Sequence, residues 1–148
     1  MNSFAFGQEV TTYYLIRHAE KETTDPNNWN PHLTSKGKER AQEWKTILKA
    51  VPFDKIYSTS YFRTQETATP MAEERKLLIE AYDPRKLYTD SFVKRNLGKT
   101  VLIVGHSNTT PVLANKILEN ETYPQIEDSI HGNLYILQLF DGKVTHQL

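Results

Sequence analysis

Arg17 and His18 close the stretch Y-Y-L-I-R-H-A-E-K at 13–21, and His106 follows T-V-L-I-V-G at 100–105. Residues 11–16 and 100–104 are β-branched, aromatic or aliphatic throughout, the composition of strands buried on both faces. In an open α/β sheet, groups at the carboxyl ends of strands face the crevice where ligands bind. An arginine and a histidine placed there are hard to explain as packing. One Arg-His dipeptide arises often by chance, but two buried strands that each deliver a histidine at the same end predict one site.

The intervening chain supplies the elements that would hold that site. Thr34 is the expected N-cap of a helix with Ala41, Trp44 and Leu48 on its inward face, stopped at Val51-Pro52. Residues 55–58 read as a short strand and 61–74 as a helix, with Arg63 in its first turn and Pro70 as a kink or early stop. A third strand is expected within 77–81. Residues 82–97 start as a loop at Asp83-Pro84 and become helical through Phe92, Val93 and Leu97. A helix over 108–120 follows the second histidine strand, 122–130 is irregular, and 134–140 with 144–147 form a hairpin through Asp141-Gly142. This alternation predicts an α/β fold, a three-layer α/β/α arrangement with a mostly parallel central sheet and an antiparallel edge.

Composition narrows the function. The 148 residues fit one domain over 1–148, with 1–10 readable as a flexible N-terminal extension. Lys plus Arg and Asp plus Glu both number 18, so no global field favours nucleic acid or an acidic membrane. The absence of cysteine excludes disulfides, thiolate metal sites and cysteine nucleophiles. No apolar run approaches the roughly 20 residues of a membrane span. Ala5 and Gly7 look like the tail of a secretory cleavage site, but the charged and apolar regions of a signal are missing. The chain as given reads as cytoplasmic; a periplasmic or otherwise exported protein starting just inside its precursor would look the same.

Leu15-Ile16-Arg17-His18-Ala19-Glu20 resembles the L-x-R-H-G-E signature of the histidine phosphatase superfamily, the phosphoglycerate mutase-like proteins. Residues 31–41, P-H-L-T-S-K-G-K-E-R-A, are similar to the family's P-L-T-x-x-G-x-x-Q-A helix opening. Residues 58–68, S-T-S-Y-F-R-T-Q-E-T-A, resemble its S-x-x-x-R-x-x-Q-T-A segment, and V-G-H-S at 104–107 resembles its V-x-H-G/S turn. The four matches fall in the family's order across most of 13–118. The resemblance implies a phosphorylated-histidine intermediate at His18, a phosphate pocket of Arg17, Arg63, His106 and Ser107, and neither metal nor cofactor. Ala19 replaces the usual glycine, and Thr24 stands where mutases carry a substrate-contacting asparagine. The insertions that build the mutases' cap have no room here, which favours a phosphatase over a phosphoglycerate-type mutase.

The implied chemistry suits those side chains. A transferring phosphoryl group spreads charge over three oxygens, so catalysis is mostly positioning and charge stabilisation. A planar guanidinium holds two such oxygens at once, and the helix starting near Tyr61 would add its amides. Nearby cations should lower the pKa of His18 and keep its ring neutral, while His106, facing the bound dianion, should hold its proton. An alkoxide leaving group also needs a general acid. Glu80 is the first candidate, Asp83 the alternative and Glu20 the third. Lys21 and Thr24 are candidate substrate contacts, and loops 20–32 and 82–91 the expected lid. His32, His131 and His146 carry no motif and read as structural. The reading is a metal-independent phosphatase acting on a small phosphorylated metabolite or a phosphoprotein, including phosphohistidine protein. Its rivals are a catalytically weak phosphate- or phosphopeptide-binding module and a metallohydrolase using His18, His32 and His106.

Overall fold

The computed structural model describes residues 9–148; the cleavage-like residues at 5–7 lie outside that range. One six-stranded sheet runs in the order β3-β2-β4-β1-β5-β6, from β1 (Thr11–Arg17), β2 (Lys55–Ser58), β3 (Ile79–Ala81), β4 (Thr100–Gly105), β5 (Leu134–Phe140) and β6 (Lys143–Gln147). The helices are α1 (Ser35–Ile47), α2 (Phe62–Arg75), α3 (Asp90–Arg95) and α4 (Thr109–Leu118). The first four strands pair in parallel, β5 and β6 add antiparallel at one edge, and the expected α/β architecture holds.

Alternating strand residues divide the core between the two faces. Tyr13, Leu15, Val101 and Ile103 point to the side of Phe92, Leu113 and Ile117. Ile16, Leu102 and Val104 point to the side of Trp44, Leu48, Ala68 and Met71. Strands covered on both faces explain the unbroken apolar runs. The β5–β6 turn uses positive φ at Asp141 and Gly142, as a two-residue hairpin requires.

Two elements depart from expectation. Pro70 does not stop α2, which continues to Arg75. The ring removes one helical hydrogen bond, but Thr67, Ala68, Met71 and Ala72 on the buried face anchor both sides of it. The third helix is short and ends before Leu97, which is exposed.

Candidate active site

Strand register creates the site. Arg17 lies opposite Gly105 in the parallel β1–β4 pair, so the next residues, His18 and His106, leave the sheet side by side. The His18 amide donates to the Gly105 carbonyl at 2.9 Å, and the two rings meet edge to face with centroids 5.5 Å apart. Gly105 is required here, since a Cβ would come within 2.8 Å of Thr110 Oγ1 and 2.9 Å of the Tyr82 hydroxyl. The first site loop is fixed by the start of α1. Thr34 caps Gly37 and donates its own amide to the Glu20 carbonyl. A Cβ on Gly37 would lie 2.1 Å from that same carbonyl oxygen.

His18 is 3% exposed, and its Nδ1 donates to the Ala19 carbonyl at 2.7 Å. That bond places the proton on Nδ1 and leaves Nε2 with a free lone pair. Burial first, then His106, Arg63 and Arg17, push the His18 pKa down to about 3. The ring is neutral as expected, although burial outweighs the cations as the cause. His106 departs from expectation: burial, Arg63, Lys21 and Arg17 push its pKa down to about 4. With only the protein's own charges around it, His106 is therefore neutral near pH 7. Its Nε2 meets the Thr59 hydroxyl at 2.8 Å, a contact that the motifs did not reveal.

The guanidiniums complete the pocket. Arg17 is 5% exposed, and its Nη1 donates to the carbonyls of Glu127, Asp128 and Ile130 at 3.1, 3.0 and 2.6 Å. Arg63 lies over the Tyr61 ring, 4.6 Å from its centroid. Arg17 Nε, Arg63 Nε and Arg63 Nη1 are all buried without a hydrogen-bond partner among the described residues. A buried charge-bearing donor without an acceptor is costly. Arg17 and Arg63 share one cleft with His18 and His106, an arrangement suited to a tetrahedral oxyanion. The first amide of α2, at Phe62, is taken by Asn30 Oδ1 rather than left for an anion.

These side chains line a cleft of about 720 Å³ that also includes Lys21, Thr23, Ser107, Asn108, Gln125, Asp128 and His131. Several expectations are corrected by it. Glu80 lies within β3 and is paired with Lys55 at 3.0 Å, outside the cleft. Asp83 turns outward to Arg85 at 3.2 Å and borders a neighbouring depression. Glu20 lines the cleft, but Arg40 holds both its oxygens at 2.7 and 2.9 Å. Burial alone would raise the Glu20 pKa, yet Arg40 brings it below the usual value, so this carboxylate is a poor proton donor. Thr24 is exposed and does not line the cleft, whereas Thr23 does.

His32 stacks on Phe62 at 4.2 Å and bonds Glu66, so it does not join His18 and His106 in a metal set. Of the expected lid, Glu20, Lys21, Thr23 and Pro84 line the cleft, whereas Asn27, Asn28, Trp29, Tyr82, Arg85, Lys86 and Tyr88 do not. A further part of the wall comes from the segment before β5, with Gln125, Asp128 and His131. Antiparallel pairing of Ile16 with Leu134 explains this, because residues just before Leu134 must lie beside those just after Ile16. The reading of His131 as merely structural missed that consequence.

A buried His-Arg cluster lies at the carboxyl end of a parallel sheet in an α/β fold. Residues 13–84 match the model of the histidine phosphatase superfamily, branch 1. That match takes in the first three of the four motifs, in agreement with the resemblance they carry. The adenosylcobalamin/alpha-ribazole phosphatase of Escherichia coli K12 is 32% identical over 71 residues, which span 45% of this chain and 35% of that protein. Among solved structures, Bacillus stearothermophilus YhfR matches with TM-score 0.72 and 20% identity over 91% of this chain and 94% of its own. The protein histidine phosphatase SixA complexed with tungstate matches with TM-score 0.68 and 16% identity, covering 93% of this chain and 94% of its own. At those identities the structural likeness speaks for the fold alone.

Proposed function

We propose that this protein is a metal-independent phosphatase whose His18 Nε2 attacks the phosphoryl group and carries it as a phosphohistidine. The observation that carries this reading is the convergence of Arg17, Arg63 and His106 on one cleft with a histidine whose Nδ1 is already fixed. A neutral imidazole attacks in line, and the guanidiniums neutralise the charge on the equatorial oxygens. When the dianion binds, its charge favours protonation of His106, which then adds a further donor. Lys21 and Ser107, which line the cleft, are proposed contacts of the phosphate and its adjoining group.

The substrate class fits a phosphorylated metabolite or phosphohistidine protein. The alpha-ribazole phosphatase and SixA relatives support this range. In the test, His18→Ala abolishes hydrolysis of 4-nitrophenyl phosphate while EDTA leaves the wild type unchanged. Full activity in His18→Ala overturns the proposal. Saturable phosphate binding by the wild type without turnover would favour the binding-module reading instead.

A further inference from the structure

The family resemblance leaves open what protonates the leaving group in this chain. We infer that His131 is that proton donor, an inference that rests on the phosphohistidine reading of His18. With His18, His106 and Lys21 set aside as nucleophile and phosphate contacts, the titratable side chains on the cleft wall besides the arginines are Glu20, Tyr61, Asp128 and His131, and Tyr61 is packed against Arg63. Glu20 is fixed as a carboxylate by its paired bonds to Arg40. The His131 ring lies 6.4 Å from the His18 ring, centroid to centroid, and tilted by 60°. A phosphoryl group held on His18 Nε2 would occupy part of that gap, bringing its ester oxygen within reach of a His131 nitrogen.

The loop that carries His131 is tied to the same active-site cation that receives the anion. Arg17 Nη1 bonds the carbonyls of Glu127, Asp128 and Ile130, immediately before His131. Antiparallel pairing to β1 then sets the height of His131 above the strand ends. The charges facing His131 are Arg17 from β1, Glu20 from the following loop and Arg40 from α1. Burial and the two arginines lower its pKa, while Glu20 and the Ser129 backbone oppose that effect. A bound phosphate dianion would add to the opposing side and favour the imidazolium.

The proton and electron balance closes within the pocket. The His18 Nε2 lone pair forms the N–P bond as the P–O ester bond breaks. The electron pair of that bond stays on the ester oxygen, which takes the proton of the His131 imidazolium and departs as an alcohol. Neutral His131 then accepts a proton from the water that attacks phosphorus. The N–P bond breaks, its pair returns to Nε2, and inorganic phosphate leaves with His131 protonated again.

Leaving-group dependence tests the assignment. His131→Gln should lose roughly 10²–10⁴-fold in kcat on alkyl phosphates but less than about tenfold on 4-nitrophenyl phosphate, whose leaving group needs little help from an acid. The fall in alkyl phosphate turnover toward high pH should also disappear in the variant. Equal unfolding midpoints for variant and wild type separate chemistry from misfolding. Equal losses on both substrates, a selective loss in Asp128→Asn instead, or no alkyl phosphate turnover by the wild type would each overturn the inference. Failure of the underlying reading is distinguishable, because wild type would then form no phosphohistidine from 4-nitrophenyl phosphate.

Discussion

Removing the Arg63 guanidinium tests the oxyanion site through its least compensated member. Its Nε and Nη1 have no hydrogen-bond partner among the described residues and the side chain lines the cleft, so both donors can turn to a phosphoryl oxygen. A hydrogen bond involving a charged group contributes about 1.5–3 kcal/mol, so two would supply about 3–6 kcal/mol. At about 1.4 kcal/mol per tenfold, Arg63→Met should lower kcat/KM by roughly 10²–10⁴-fold. The fold should lose little, because Met retains apolar bulk and relieves a partly desolvated cation. The change forfeits the contact with Tyr61, whose ring lies 4.6 Å from the guanidinium carbon. Steady-state hydrolysis of 4-nitrophenyl phosphate, beside urea unfolding of both proteins, separates the effects. Arg63→Lys should recover only part of the loss, since a point charge cannot replace two directed donors. A folded Arg63→Met protein within about threefold of wild type would refute the reasoning, because even one such bond predicts more.

Three further outcomes follow from the geometry. His18 and His106 have pKa values near 3 and 4 in the folded chain against an ordinary 6.5, so the unfolded chain takes up protons that the native state refuses as pH falls below about 6.5. Urea midpoints should therefore drop as pH falls from 6.5 toward 4, and a flat profile would contradict the burial argument. Glu80→Gln should leave phosphatase activity unchanged on alkyl and aryl esters alike, because its carboxylate is paired with Lys55 outside the cleft; steady-state rates check it. Gly37→Ala should destabilise by about 1–3 kcal/mol or more, measurable by urea unfolding, since its Cβ would meet the Glu20 carbonyl oxygen at 2.1 Å.

The central pair was legible because burial on both faces leaves a distinct pattern. The apolar runs of β1 and β4 end at Arg17 and Gly105, and their register puts His18 beside His106. Thr34 was equally plain as a cap, and Asp141-Gly142 as a hairpin turn. The carboxylates were misread because distance along the chain says little about side-chain direction. Glu80 sits near the correct strand end but points to Lys55, and Asp83 turns to Arg85. The wall with Asp128 and His131 has no periodicity of its own. Its place comes from two distant facts, the antiparallel pairing of β5 with β1 and the bonds from Arg17 to three carbonyls. Pro70 is no stop for a different reason: buried residues on both sides of it outweigh one lost helical bond.

The most direct measurement is a rapid acid-free quench of the wild type with an aryl phosphate, followed by mapping of any phosphate bound to the chain. The account predicts a transient phosphoryl group that is labile to acid, stable to alkali and confined to the His18 peptide. A label on a hydroxyl residue, or turnover without a label under conditions that trap a phosphohistidine standard, would contradict it.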